Sequence, residues 1–356
     1  MKKFIIFVLC FFWSANAFSA GTIDKRVINE MLTTVNKDYL EPVDNAEMIY
    51  AGLKTLPELD KALKITKGRD RFYLYYNYAI KSVVPFPQDN KDILGWIEAL
   101  HKLLTDITKV SEQAELKDFE LLDRMMKGMT SKMDKYSGYY SQFEYVEHER
   151  DNVIYTLYSN RMIKNILYIK MRTFNKQSAA MVEKSLRENP RAVGVILDFR
   201  GNSGGMLNEA LKIANMFCEN EIITYTAGRD EHSKHYYTAG DKALFTGPMV
   251  VMVDGGTASA AEVLAGAFQE QSRAKLIGAH TFGKGTIQNV TEMSNGGKLV
   301  LTTEQFFTPS GKVIHKKGIE PDMCLSGKEN DVCIRESRLK QDDDIDKAIK
   351  LLKNEI

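Results

Sequence analysis

Apolar positions along the chain fall into two regimes. From residue 22 to about 135 they recur at helical spacing, with Val27, Ile28, Met31, Leu32 and Val35 on one face and the same period continuing over 48–56. Further helices are predicted over 92–108 and 116–133, with Pro85 and Pro87 breaking the chain ahead of them. Residues 21–140 therefore read as a mainly helical N-terminal domain. Its aromatic cluster of Tyr73, Tyr75, Tyr76 and Tyr78 reads as core packing. After about residue 150 short β-branched runs take over, at 166–172, 192–198, 248–253, 274–278 and 298–303. Helical stretches at 179–187, 207–218 and 260–271 lie between them, and this alternation predicts a domain of the α/β (α+β) class over 141–341. Residues 342–356 read as a final amphipathic helix, with acids at the end where the helix dipole favours them.

Composition adds little to this picture. With 44% hydrophobic and 27% charged residues, the 356-residue chain is an ordinary globular sequence, which excludes disordered and collagen-like classes. The balance of 48 basic against 47 acidic residues gives no electrostatic case for nucleic acid. The first 20 residues change the picture more. Lys2 and Lys3 precede an apolar run over 4–13, too short to span a bilayer, and Ala15-Asn16-Ala17 offers small residues at a cleavage site. Residues 1–20 thus read as a secretory signal peptide cut after Ala17. The protein is expected to be exported, most simply to a bacterial periplasm. Export places Cys218, Cys324 and Cys333 in an oxidising compartment, where Cys324 and Cys333 bracket a short polar loop and are expected to form a disulfide. Cys218 is left over, buried at the end of a helix. Three cysteines so spread do not make a metal site, and His232-x-x-His235 lacks an acidic third ligand, so no metal or other cofactor is expected.

Three segments carry candidate chemistry, and each lies near the end of a predicted strand. The first is Asp198-Phe199-Arg200-Gly201-Asn202-Ser203-Gly204-Gly205. Its glycines free backbone N–H groups to face an oxyanion, and Gly201-x-Ser203-x-Gly205 also fits a nucleophile elbow, with His280 or His315 as the base. The second, 255–262, sets Ser259 at a helix start. Ser259-x-x-Glu262 is a capping box, yet the same position suits a nucleophile, because the Ala260 amide can hold a developing oxyanion. The third, 281–288, has Lys284 between Gly283 and Gly285. A serine needs a base, and a lysine serves only when neutral; its pKa must fall from ~10.4 to near 7, at a cost of roughly 4 kcal/mol met by desolvation. If the segment runs on as a strand, Lys284, Thr286 and Gln288 face one side, and Gln288 can orient the amine without adding charge.

At these segments the sequence resembles the carboxyl-terminal processing (tail-specific) serine proteases. The matching text is LDFRGNSGG, VMVDGGTASAAEVLAGAFQEQSRAKLIGAHTFGKGTIQ and TPSGKVIHKKGIEPD, within 164–325. The resemblance implies a crotonase/ClpP-like ββα core, with Ser259 as nucleophile, Lys284 as general base and Gln288 supporting it. It implies an oxyanion hole from the amides of Ala260 and of Gly205 or its neighbour Gly204. The opening helices of that family are similar to 30–56, and its Asp-x-Tyr-Ser turn to 125–140, so 57–124 reads as a helical insertion. The family usually carries a PDZ domain between that turn and the core. The stretch between Tyr140 and Ile166 is too short to hold one, which removes the usual device for taking a substrate's C-terminus by strand addition. The expected function is an exported endopeptidase acting on protein or peptide substrates, with the helical domain open to an adaptor or to self-association. The alternatives are a Ser203-based Ser-His-Asp hydrolase and a non-catalytic binding or scaffold protein on the same core.

Overall fold

The computed structural model describes residues 23–353 except 116, 143, 145–157, 231–232, 327, 330–331 and 336–340, so the segment read as a signal peptide lies outside the described residues. The chain divides into two compact units, one formed by Met1–Thr33 with Asp44–Lys132, the other by Thr34–Val43 with Met133–Ile356.

In the first unit, helix α1 (Lys25–Asp38) begins and α2 (Asn45–Leu53) follows, capped by Asp44, whose side chain accepts from Glu47 N. The next three elements correct the expectation of an all-helical insertion. Strands β1 (Leu63–Lys67), β2 (Arg71–Tyr76) and β3 (Ala79–Pro85) form an antiparallel sheet in that order. Leu63, Ile65, Phe72, Leu74 and Val84 are its buried residues, while Tyr78 is fully exposed at the β2–β3 turn, with φ 66°. The tyrosines therefore decorate the sheet rather than fill the core. Their apolar rings on both faces of β2 erase the two-residue contrast by which a strand is read from sequence. Helices α3 (Ile93–Val110), α4 (Glu112–Glu115) and α5 (Asp118–Thr130) complete the unit. Helices α2 and α5 cross backbone to backbone at Gly52 and Gly128, where a Cβ on Gly128 would lie 2.7 Å from Gly52 Cα.

The second unit holds β4 (Gly138–Tyr140), β5 (Tyr158–Ile163), β6 (Ile166–Met171), α6 (Ser178–Glu188), β7 (Gly194–Asp198), α7 (Leu207–Ala214), β8 (Ile222–Ala227), β9 (His235–Thr238), β10 (Met249–Val253), α8 (Ala260–Glu270), β11 (Lys275–Gly278), β12 (Thr286–Glu292), β13 (Lys298–Phe307), β14 (Met323–Cys324) and, last, helix α9 (Gln341–Lys353). One sheet has the order β14-β11-β10-β7-β6-β5 and is parallel but for the β5–β6 hairpin. Both faces of its central strands are covered, which is why β6, β7 and β10 read as near-continuous apolar runs. Leu167, Ile169, Val195, Leu197, Val251 and Val253 pack with α6, α7 and α8. On the other face Tyr168, Ile196, Val250 and Met252 meet Ile345, Ala348 and Leu352 of α9. The second sheet is antiparallel, ordered β12-β13-β8-β9, with β4 also pairing β13. Cys324 and Cys333 are joined by a disulfide, and Cys218 is a buried free thiol.

Candidate active site

The three chemistry-bearing segments all leave the C-terminal ends of neighbouring parallel strands, β7, β10 and β11, where ligands bind in open α/β sheets. Hydrogen bonds to the main chain, some from side chains, tie them together. Asp254 Oδ1 accepts from Gly201 N (2.8 Å) and Gly256 N (2.9 Å), and Thr257 Oγ1 donates to Phe199 O (2.8 Å). Ala258 N donates to Asn202 O and Phe282 N to Thr257 O. The glycine turn after β7 lies directly against Ser259. A Cβ on Gly204 would fall 2.8 Å from Ser259 Cβ and 3.0 Å from Ala260 N, and its φ is +95°. Only glycine fits there.

Ser259 forms the expected capping box with Glu262, but its backbone is not that of an ordinary cap. N-cap residues sit in the extended region; Ser259 has φ 57° and ψ −126°. A non-glycine residue in that region carries strain of order 1–3 kcal/mol, which persists where the surroundings enforce it. The same strand-to-helix turn lifts a nucleophile clear of the backbone in hydrolase elbows.

Glu262 is what enforces it, and this residue exceeds the capping role read from the sequence. It is fully buried. Oε2 accepts from Ser259 N and Lys284 N, both at 2.9 Å, and Oε1 from Thr281 Oγ1 (2.5 Å) and Gly283 N (2.6 Å). One carboxylate thus clamps the serine turn to the lysine loop. Burial pushes its pKa up, against the lowering by these four donors.

Lys284 lies on the loop before β12, and the strand considered for 284–288 begins only at Thr286. It is half-buried, and its Nζ rests 5.0 Å from the ring centroid of Tyr136. Burial holds its pKa below the usual lysine value, and the positive charge of Lys135 adds to the effect. Both act in the sense a neutral base needs. Gln288 and Thr286 share a side of β12 as expected, with Gln288 Nε2 donating to Thr286 Oγ1 at 3.0 Å. Of the two glycine amides, that of Gly204 already donates to Asn202 Oδ1 (2.9 Å). The Gly205 amide makes no hydrogen bond among the described residues. Ser203 is exposed and bonds no histidine among them; His280 Nδ1 faces Thr281 O and His315 packs against Tyr136.

The model of peptidase family S41 matches residues 165–325, a stretch that holds Ser259, Lys284, Gln288 and the glycine turn. This stretch is an S41 peptidase domain. The carboxyl-terminal-processing protease of Synechocystis sp. is 40% identical over 161 residues, covering 45% of this chain and 38% of that protein. The carboxy-terminal processing protease CtpA of Bacillus subtilis is 37% identical over 178 residues, covering 49% and 38%. The chain thus spans 38% of the length of each of these two relatives. Among solved structures, a photosystem II D1 C-terminal processing protease has the same fold as the S41 domain and its surroundings, with a TM-score of 0.59 at 16% identity over 92% of this chain and 96% of that one.

Proposed function

We propose that the protein is an exported serine endopeptidase of the C-terminal processing type, cleaving protein or peptide substrates through Ser259 and Lys284. The observation that carries this reading is the Glu262 clamp, which holds a strained serine at a helix start and, through the same carboxylate, the loop of a desolvated lysine. Ser259 Oγ attacks the peptide carbonyl and passes its proton to the neutral Lys284 amine. The negative oxygen faces the amides of Ala260 and Gly205; the Gly204 amide is already engaged, so we assign the second donor to Gly205. Lys284 then gives the proton to the leaving amine, and water repeats the cycle on the acyl-enzyme. Gln288 orients the amine. The amine stands over the Tyr136 ring, and the proton transfer requires it to meet Ser259 Oγ when substrate is bound. The apolar N-terminal run supports export, and the exposed Tyr78 and Ile80 on the sheet of the first unit support an adaptor or self-association there.

The test is degradation of an unfolded protein by the mature chain beside Ser259→Ala, Lys284→Ala and Ser203→Ala. Loss with the first two and retention with the third is expected. Activity that survives Ser259→Ala, or that is lost with Ser203→Ala alone, would overturn the assignment.

A further inference from the structure

The side-chain amide of Gln288 has two ends of nearly equal shape and opposite chemistry, and only the carbonyl end can accept from a lysine. Three hydrogen bonds decide which end faces where. Gln288 Nε2 lies 3.0 Å from Thr286 Oγ1 and 3.1 Å from Thr302 Oγ1. Thr302, buried on β13, lies with its Oγ1 3.2 Å from Asp134 Oδ1. A hydroxyl has one proton, and a carboxylate can only accept. The Thr302 proton therefore goes to Asp134, and toward Gln288 the hydroxyl can only accept. That face of Gln288 must be its NH2. With both N–H groups directed at threonine hydroxyls, Oε1 is the end left for Lys284.

Asp134 is held for this task by a one-way ring. Ser137 Oγ donates to Asp134 Oδ2 (2.8 Å) and accepts from Thr302 N (2.9 Å), and Tyr136 N donates to Asp134 Oδ1 (2.8 Å). Asp134 N in turn donates to Tyr39 OH (3.0 Å), and Leu40 N to Thr302 O (2.8 Å). Three protons, those of Tyr136 N, Ser137 Oγ and Thr302 Oγ1, point at the Asp134 carboxylate, so the orientation does not depend on chance packing of the glutamine.

We infer that Thr302 is a positioning residue: together with Asp134 it fixes the Gln288 amide with its oxygen toward Lys284. The inference rests on Lys284 being the base. With the threonine hydroxyl gone, the amide is free to turn and offer N–H groups to the amine. An N–H donor bonds the neutral amine and repels the ammonium, so the lysine titrates lower while losing its orientation.

The test compares wild type, Thr302→Val, Thr302→Ser, Gln288→Ala and Lys284→Ala on fluorescein-labelled casein across pH, with thermal unfolding of each variant alongside. Valine matches threonine in shape, and serine keeps the hydroxyl. The expected result is a kcat about tenfold lower for Thr302→Val at unchanged KM, an acidic limb moved down by roughly half a pH unit, and recovery of both in Thr302→Ser. Wild-type kcat and limb in a folded Thr302→Val overturn the inference. So does equal impairment of the valine and serine variants, which would mark Thr302 as packing only. Full activity in Lys284→Ala instead overturns the base assignment beneath it, and is told apart because the other two results are read with Lys284 intact.

Discussion

Replacing Glu262 by glutamine tests the clamp most directly, because the change keeps shape and removes two acceptor positions. Four donors converge on the carboxylate: Ser259 N, Lys284 N, Thr281 Oγ1 and Gly283 N. An amide can satisfy at most two of them with its oxygen, and its NH2 faces the others. Thr281 Oγ1 also receives Ile319 N at 2.7 Å, so its single proton can turn away and the hydroxyl can accept. The least costly arrangement keeps the oxygen on Ser259 N and Lys284 N and leaves Gly283 N opposed by an N–H group. One buried unsatisfied donor costs about 1–3 kcal/mol. Part of that is returned, because burial has raised the pKa of Glu262 and the neutral amide escapes the desolvation of the charge. The net loss of stability is therefore expected at about 1–2 kcal/mol, a few degrees in Tm for a unit of this size. The effect on rate is larger. The Gly283 displacement moves the lysine loop relative to the serine turn, and a shift of about 1 Å at a catalytic pair costs about a hundredfold. Thermal unfolding and kcat on casein, measured on the same preparation, should thus show Glu262→Gln slightly destabilised and about a hundredfold slower. A variant that is folded and cleaves at the wild-type rate would show that the clamp does not position the pair.

Lys135→Gln removes the positive charge that, after burial, lowers the Lys284 pKa, so that pKa rises and the acidic limb of kcat/KM moves to higher pH; a limb that stays in place would show that burial alone sets it. Gly204→Ala places a Cβ 2.7 Å from Ala258 O and 2.8 Å from Ser259 Cβ at φ +95°, so reaction with a serine-directed fluorophosphonate should be lost, and wild-type labelling would refute the close approach. Arg200→Met leaves Asp198 and Asp344 without the guanidinium that bonds both, a buried-pair break expected to cost about 3–5 kcal/mol in urea unfolding. Cys333→Ser opens a loop with a sequence separation of 9, for which a loss of roughly 2–3 kcal/mol is expected in non-reducing unfolding, with none under reducing conditions.

The sequence made the S41 domain legible and the first unit only in part, and the reason is physical. Strands β7 and β10 are buried on both faces, so they stand out as unbroken apolar runs, and the helices between them keep a clean period. Strand β2 has tyrosines on both faces, so its sequence shows no two-residue contrast and the sheet is not legible there. At the site, Ser259 and Glu262 were readable as a pair because a capping box is local. The reach of Glu262 to Thr281, Gly283 and Lys284 was not, since those bonds span 19 to 22 residues and no local rule anticipates them. Thr302 was invisible for the same reason, lying 168 positions from Asp134. Thr286 and Gln288 continue an alternation that could begin at Lys284, but the strand itself begins at Thr286. The strand starts late because Gly283 adopts φ +88° and the backbone at Gly285 presses on His315, where a Cβ would meet the amide at 2.3 Å.

These long-range bonds also resolve an apparent conflict in the chemistry. A carboxylate beside a catalytic lysine is expected to hold it protonated, and Glu262 lies in hydrogen-bond contact with the Lys284 residue itself. The contact is to the backbone N–H. All four groups bonded to Glu262 are neutral donors, three amides and one hydroxyl, so the acid is satisfied without an ion pair. The influences that move the Lys284 amine are burial and Lys135, both lowering, with no contribution from Glu262. The side chain leaves the clamp for the Tyr136 ring, which it shares with the Lys135 ammonium. Main-chain recognition of the lysine loop therefore lets one buried acid fix the base in place while leaving its amine free to be neutral. A side-chain ion pair in the same position would fix the loop equally well and disable the chemistry.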